Sequence, residues 1–349
     1  MKPNRPISAA TRRPTIQDLA RSLGLSKGTV SRALNGYTDI SPATRQRISE
    51  AAEALGYAPL SHAQAIRTGQ VKALGLVLQM EQHDSQRPFL AEFLRGITQA
   101  ASARSWTLTM ATAESEEEGL DTYRRLIRER KADGFILPRS QWHDPRVALL
   151  RDEGCPFVLF GRTGDAEGCA WFDIRGGAAM EDAVARLHGF GHRRIGFVGA
   201  DDAFTYARKR RDGYLAGLAD VGLSEDPALI HRGGMTAEDG AAAAGRMLEL
   251  SRPPTALICA TDLLAIGAIR AARARGLSIG RDLSVIGYDG TREGQLLDPP
   301  LTSYAVDQTA AGARLAELLI ARIGGADPET LRETADAVLR PGGTDGPPA

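Results

Sequence analysis

Cysteine is scarce in this chain. Cys155, Cys169 and Cys259 are too far apart to staple a small fold, and none joins a Cys-x-x-Cys or Cys/His cluster. No structural metal is expected, and the compartment reads as reducing and cytoplasmic. Aromatic residues make up only 5% of the chain against 43% hydrophobic, so the core must be aliphatic. No apolar run approaches the about 18 residues that cross a bilayer. The basic, polar stretch from Met1 to Pro14 has no apolar segment of the kind a secretory leader needs. Net charge is absent too, but that balance hides an asymmetry. Residues 1–70 carry ten Lys/Arg against four Asp/Glu, and the remainder carries 33 against 39. A basic head on an acidic body points to a polyanionic partner at the N-terminal end.

Signatures of catalysis are also missing. There is no Walker A loop and no G-x-S-x-G elbow. Gly189-Phe190-Gly191 lies between a helical stretch and the next strand, where a dinucleotide loop would follow a strand. His188 and His192 stand at i, i+4 spacing, but Gly189 and Gly191 interrupt them and favour a structural loop. The Glu116–Glu118 run suits the start of a helix. No enzyme activity, catalytic residue or cofactor is expected.

A chain of 349 residues suggests more than one domain. Residues 14–56 read as three short helices. Thr15 caps Ile16–Leu23 with Asp18 as capping-box partner and Gly24 as stop. Ser26 caps Lys27–Leu34, which ends at Asn35-Gly36, and Ser41-Pro42 opens a third helix running to Leu55. Ile16, Leu19, Leu23, Val30, Leu34, Ile48 and Leu55 can form its mini-core. Residues 57–70 read as a linker with a short helical stretch at Ser61–Arg67, too short to hold alone in water. From residue 73, short apolar runs alternate with amphipathic helices. Strands are expected at Leu74–Leu78, Thr107–Ala111, Gly134–Leu137, Phe157–Phe160, Ile195–Val198, Ala256–Cys259 and Ser284–Gly287. That alternation predicts parallel, doubly wound sheets, and the span is long enough for two similar lobes. The last residues, Pro341–Ala349, read as a disordered end.

The segment from Thr15 to Asn35 carries the strongest functional signal. It is helix, Gly-containing turn, helix, with polar and basic residues opening the second helix, the layout of a helix-turn-helix. Entering the major groove N-terminus first, the second helix would aim Lys27, Gly28 and Arg32 at base edges. Arg32 has the fork to read guanine O6/N7 in a bidentate way. Thr15, Ser26, Thr29, Ser31 and Asn35 can bind phosphates or cap helices.

These residues resemble the head of the lactose-repressor (LacI/GalR) family. The shared strings are T-I-x-D-L-A from Thr15, L-S-x-x-T-V-S-R-x-L-N from Leu25, S-x-x-T-R-x-R-I from Ser41 and G-Y-x-P from Gly56. Further matches run through the body: Phe172–Gly176, G-H-R-R-I at Gly191–Ile195, R-x-x-G-Y at Arg210–Tyr214, T-D-x-x-A-x-G at Thr261–Gly267, D-L-S-V-I-G-Y-D at Asp282–Asp289 and P-P-L-T at Pro299–Thr302. The resemblance spans residues 15–341. It implies an N-terminal all-α helix-turn-helix head (14–58), a hinge (59–70) and an α/β periplasmic-binding-protein-like core of two doubly wound lobes (71–341). The N-lobe would take about 71–169 and 303–332, and the C-lobe about 170–302 and 333–341. It also implies a homodimer on a pseudo-palindromic operator. In the family the hinge folds on DNA and pushes an apolar side chain into the minor groove. Here Ala63 and Ile66 hold the matching positions, with β-branched Ile where the family usually has Leu.

The resemblance further implies an effector cleft between the lobes. Family positions fall on Phe89 and the neighbourhood of Gly161-Arg162 in the N-lobe and on Arg210, Thr261 and Asp289 in the C-lobe, with Arg139 and Met235 as further candidate effector contacts. Arg210 and Asp289 suit paired sugar hydroxyls, and Phe89, Met235 or Trp142 an apolar ring face. The family often has an Asp-Arg pair at 161–162; Gly161 replaces that Asp, which removes one ligand contact. The string Phe160-Gly-Arg-Thr163 is similar to sugar-sensing members, with an α-glucoside as the specific expectation. A solute-binding protein of a sugar transporter shares the core fold, and a regulator sensing a non-sugar metabolite is the other alternative. Repressor or activator, and induction or corepression, stay open.

Overall fold

The computed structural model describes residues 14–35, 37–57, 69–79 and 87–349, with residues 87–89 described by backbone course alone. The expected hinge residues Ala63 and Ile66 lie outside the described residues. The chain divides between Val71 and Lys72 into two compact units.

The first unit holds α1 (Ile16–Leu23), α2 (Lys27–Leu34) and α3 (Pro42–Leu55). Thr15 and Asp18 form the capping box, with Asp18 Oδ2 accepting from the Thr15 amide at 2.9 Å. Ser26 Oγ accepts from the Thr29 amide at 3.0 Å, and Ser41 with Pro42 starts α3. Leu19, Ala20, Val30, Ala33, Ile48 and Ala52 form the buried core. Leu55, expected in that core, is 39% exposed. α3 has 14 residues against 8 in α1 and in α2, so its last turn runs past them, and Tyr57 folds back instead through its amide to the Ala52 carbonyl at 2.9 Å.

The second unit is a pair of α/β lobes. The first lobe contains β1 (Ala73–Gln79), α4 (Arg87–Ala103), β2 (Thr107–Ala113), α5 (Glu116–Arg128), β3 (Gly134–Leu137), α6 (Pro145–Asp152), β4 (Phe157–Phe160) and β5 (Ala170–Ile174). The second contains α7 (Gly176–Gly189), β6 (Ile195–Ala200), α8 (Thr205–Asp220), β7 (Ile230–Gly234), α9 (Ala237–Leu248), β8 (Ala256–Cys259), α10 (Asp262–Arg273), β9 (Ser284–Asp289), α11 (Arg292–Gln295) and β10 (Thr302–Ala305). The chain then returns to the first lobe for α12 (Gln308–Ile323) and β11 (Arg332–Ala335), and ends in the second with β12 (Val338–Arg340).

The sheet orders are β11-β5-β4-β3-β1-β2 and β12-β10-β9-β8-β6-β7. The passages between lobes therefore fall at 174–176, 305–308 and 335–338. Each lies a few residues beyond the expected boundary, because β5 and β11 complete the first sheet and β10 completes the second before the chain leaves. β11 runs parallel to β5 while β12 runs antiparallel to β10. Two residues, Asp336 and Ala337, join β11 to β12. The chain thus continues forward out of one sheet and into the other, whose strands point the opposite way. That is possible only if the carboxyl edges of the two sheets face each other.

The C-terminal residues are not the loose end that their composition suggests. Thr344 is fully buried, accepts from the Val285 amide at 2.7 Å through its carbonyl and donates its hydroxyl to the Val285 carbonyl at 2.7 Å. Asp345 accepts from Arg186 at 2.6 Å, and Gly346 lends its carbonyl to His192 at 2.9 Å. Glycine serves close approach here: a Cβ on Gly342 would lie 2.2 Å from the Pro300 carbonyl oxygen. His192, further held by Thr255 at 2.8 Å and Ser284 at 3.1 Å, is a buried pin whose pKa burial lowers. Among the described residues no group of His, Cys, Asp or Glu could hold a metal ion, and no helix is long and apolar enough to cross a membrane.

Candidate functional site

Parallel strands end in loops at their carboxyl edge, and in open α/β sheets ligands bind beyond that edge. Here two such edges face each other across a cleft of about 160 Å³. Arg139 follows β3, Phe160 closes β4, and Asp173 and Ile174 close β5. From the second lobe Tyr206 follows β6, Thr261 follows β8 and Asp289 closes β9.

Arg210 on α8 lies at the base of this cleft. Its guanidinium carbon sits 3.5 Å from the ring centre of Tyr288 and 4.8 Å from that of Tyr206, and its Nη1 donates to the Ala260 carbonyl. The stack and the bond fix its direction without neutralising it. Asp289 lies 3.8 Å away, a loose pairing, and its carboxylate also accepts from the Asp262 backbone amide. The Asp289 backbone is strained at φ 118°, and withdrawal from water pushes its pKa up to about 7 against the pull of Arg210. Arg139 enters from the first lobe, also at positive φ (50°), and lies 5.5 Å over the Phe204 ring. Burial lowers its pKa, while the nearby Asp289 favours its charge. Two guanidinium groups from opposite lobes thus converge on one carboxylate.

The remaining polar groups suit hydroxyls. The buried Gln308 at the start of α12 has a side-chain oxygen without a hydrogen-bond partner among the described residues. Thr291 and the exposed Glu293 stand on the second-lobe side. Apolar contact comes from Phe160, Ile174, Tyr206, Met235 and Ile266. Asp262, at the first position of α10, is structural: it accepts from Ser303 Oγ and from the Thr291 amide at 2.6 Å, and burial raises its pKa to about 6.

Of the residues singled out from the sequence, Arg139, Arg210, Met235, Thr261 and Asp289 line the cleft. Thr261 also caps α10, accepting from the Leu264 amide at 3.3 Å. Arg162 does not line it. The Asp173 carboxylate draws its Nε to 2.7 Å and the guanidinium stacks on Trp171 at 4.2 Å. Trp142 also lies elsewhere, under the Arg208 guanidinium at 5.4 Å. Phe89 falls in the first turn of α4, and its side chain is outside the described residues. Gly161 is set by the backbone: φ is 102°, and a Cβ there would lie 2.7 Å from Ser140 Oγ. Tyr206, Thr291, Glu293 and Gln308 were missed, although each stands at or near the start of a helix that follows a strand at this edge.

In the head, Ser26 and Thr29 share a hydroxyl contact of 2.9 Å, and Asn35 Nδ2 caps α2 by donating to the Ser31 carbonyl at 2.6 Å. Thr15 Oγ1 donates to Asp18 at 2.7 Å. Lys27, Gly28 and Arg32 are exposed, and Gly28 and Arg32 lie one turn apart on the same face.

A family model described as bacterial regulatory proteins, lacI family, matches residues 15–59, and one described as periplasmic binding protein-like domain matches residues 184–344. The chain is 35% identical over 333 residues to the HTH-type transcriptional regulator AglR of Rhizobium meliloti (strain 1021), covering 93% of each. It is 32% identical over 326 residues to the HTH-type transcriptional regulator CelR of Thermobifida fusca, covering 92% of this chain and 95% of that protein. A solved transcriptional regulator CelR–cellobiose complex matches with a TM-score of 0.74 at 29% identity, over 95% of this chain and 100% of that one.

Proposed function

The chain belongs to the lacI family of bacterial regulatory proteins, and from that premise we propose that it is a homodimeric, operator-binding repressor controlled by a neutral sugar held between its lobes. It is a DNA-binding transcription regulator, and the relatives it matches along nearly its whole length carry regulator names. The observation that carries the sugar reading is the Arg139–Asp289–Arg210 convergence beside the apolar faces of Tyr206 and Phe160. A carboxylate flanked by fork-shaped donors suits adjacent hydroxyls, and flat apolar side chains suit the C–H face of a ring. Asp173, Asp289 and Glu293 oppose a phosphorylated ligand. The cellobiose bound to one structural relative supports the same class.

Because the cleft is built from both lobes, a ligand touching both favours one lobe arrangement over the other. Such a differential affinity is the physical requirement for control of operator binding. A coupling of about 1–3 kcal/mol would change operator affinity roughly 5- to 150-fold. Action on bacterial DNA is work for the cytoplasm.

Thermal-shift and calorimetric titration against a panel tests the reading. The panel sets α-glucosides, the class expected from Phe160–Thr163, beside cellobiose, sugar phosphates, nucleosides and purines. A neutral sugar should raise the melting temperature and alter operator affinity. Stabilisation by a purine or nucleoside with no response to any sugar would overturn it.

A further inference from the structure

We infer that Asp39 is a specificity-determining residue of the head, orienting the Arg32 guanidinium for a guanine edge and withholding it from phosphates. The inference rests on the reading of α2 as the base-contacting helix.

The Arg32 Nη2 pairs with Asp39 Oδ2, and its guanidinium carbon lies 5.5 Å from the centre of the Tyr37 ring. The two side chains are 54% and 44% exposed, so the pair sits on the outer surface of the head and not in its core. The turn that carries Asp39 is itself anchored. The Tyr37 amide donates to the Arg32 carbonyl at 3.1 Å, and Arg45 Nη2 donates to the Tyr37 and Ile40 carbonyls at 3.2 Å each. The carboxylate is therefore presented to Arg32 by a fixed loop.

A guanidinium offers five donors in a rigid fork, and Asp39 engages it through Nη2. The rest of the fork stays available for guanine O6 and N7. On a cognate site Arg32 can meet both acceptors while keeping its carboxylate, which fixes the plane of the fork. On a site without guanine, the same carboxylate competes with phosphates for Arg32 and repels them. Asp39 thereby lowers non-specific binding more than specific binding.

Full-length wild type, Asp39→Asn, Asp39→Glu, Arg32→Ala and Arg32→Ala/Asp39→Asn are titrated at one salt concentration. The probes are the duplex that wild type selects from a randomised pool and a guanine-free poly(dA-dT) duplex. Asp39→Asn should raise affinity for poly(dA-dT) about two- to fivefold, as for an exposed ion pair, and lower the specificity ratio by a similar factor. Asp39→Glu should recover part of the ratio. In the Arg32→Ala background the Asn substitution should leave the ratio unchanged. An unchanged ratio in Asp39→Asn overturns the inference. An equal fall in both backgrounds also overturns it, since that would be bulk charge acting without Arg32. If Arg32→Ala binds the selected duplex as tightly as wild type, the assignment of α2 fails first and the inference falls with it. Melting temperatures of all variants separate these outcomes from misfolding.

Discussion

The two lobes share a strand order but not a way of closing. The first lobe covers its sheet with two separate apolar clusters, one around Phe93, Ile97 and Leu315 and the other around Tyr123, Leu126 and Leu150. The second has one continuous cluster, running from Met180 through Tyr214 and Leu264 to Tyr304. It is also sealed by polar chemistry: the C-terminal residues thread Thr344 and Asp345 among Val285, Thr302 and Arg186. The same division appears at the cleft. Arg210, Asp289 and Glu293 come from the second lobe, whereas the first offers Arg139, Asp173 and a glycine at 161. The difference teaches that one lobe holds more of the fixed charge pattern, while the other supplies a wall that completes it.

Asp345→Ala should have the largest effect and should fall on the second lobe alone. The Asp345 side chain is only 2% exposed, and its removal strands Arg186 and Thr302. A loss of about 2–4 kcal/mol is expected from breaking so buried a pair. Asp165→Ala in the first lobe removes an exposed partner of Arg151 and should leave the chemical-denaturation midpoint almost unmoved. Equal effects of the two substitutions would erase the contrast between the lobes.

Asp289→Asn should separate function from stability. It should weaken the effector response about tenfold or more, because a ligand loses a charged acceptor. Its stability should move the other way above neutrality. The folded pKa of about 7 stands above the unfolded value of about 4. Such a carboxyl contributes stability that is present below the unfolded pKa and is lost as pH rises through the folded one. The variant should therefore melt higher than wild type above pH 7 and show a flatter profile between pH 4 and 7. A lower melting temperature at pH 8 would mean that Asp289 stabilises the fold as an anion.

Gly161→Asp, which restores the residue often found in the family, should act on the fold of the first lobe and not on its affinity for a sugar. Positive φ and the nearby Ser140 hydroxyl should destabilise the first lobe by about 1–3 kcal/mol. The substitution should not improve sugar binding. A Gly161→Asp protein that folds normally and binds a sugar more tightly would make Gly161 a choice of specificity and not of backbone geometry.

Local rules made much of the fold legible. The caps at Thr15, Ser26 and Ser41 set all three head helices. Continuous apolar runs marked the central strands, and Gly134–Leu137, Phe157–Phe160 and Ala256–Cys259 match their expected bounds. The strands that stayed hidden were β5, β7, β10, β11 and β12, most of them at or near a sheet edge. Ile230–Gly234 and Arg332–Ala335 carry charged, histidine or glycine residues, because an edge strand has one neighbour and an exposed side.

The site divides on the same line. Chain-local motifs located Arg210, Thr261 and Asp289, since each sits in a recognisable string at the end of a strand or in the helix that follows one. Tyr206, Glu293 and Gln308 belong to no such string, and only the facing of the two sheets brings them into one cleft. Arg162 shows the converse: its motif is right, but Asp173 and Trp171 turn it away. By itself the sequence determined the helix-turn-helix head, the parallel sheets and the central polar pair, because capping, periodicity and motif spacing act within a few residues. Only the tertiary structure decided the residues at which the three passages between lobes fall, the burial of Thr344 and Asp345, and the full cleft wall. Those features depend on which polar groups meet across long stretches of chain, as Arg186 and Asp345 do.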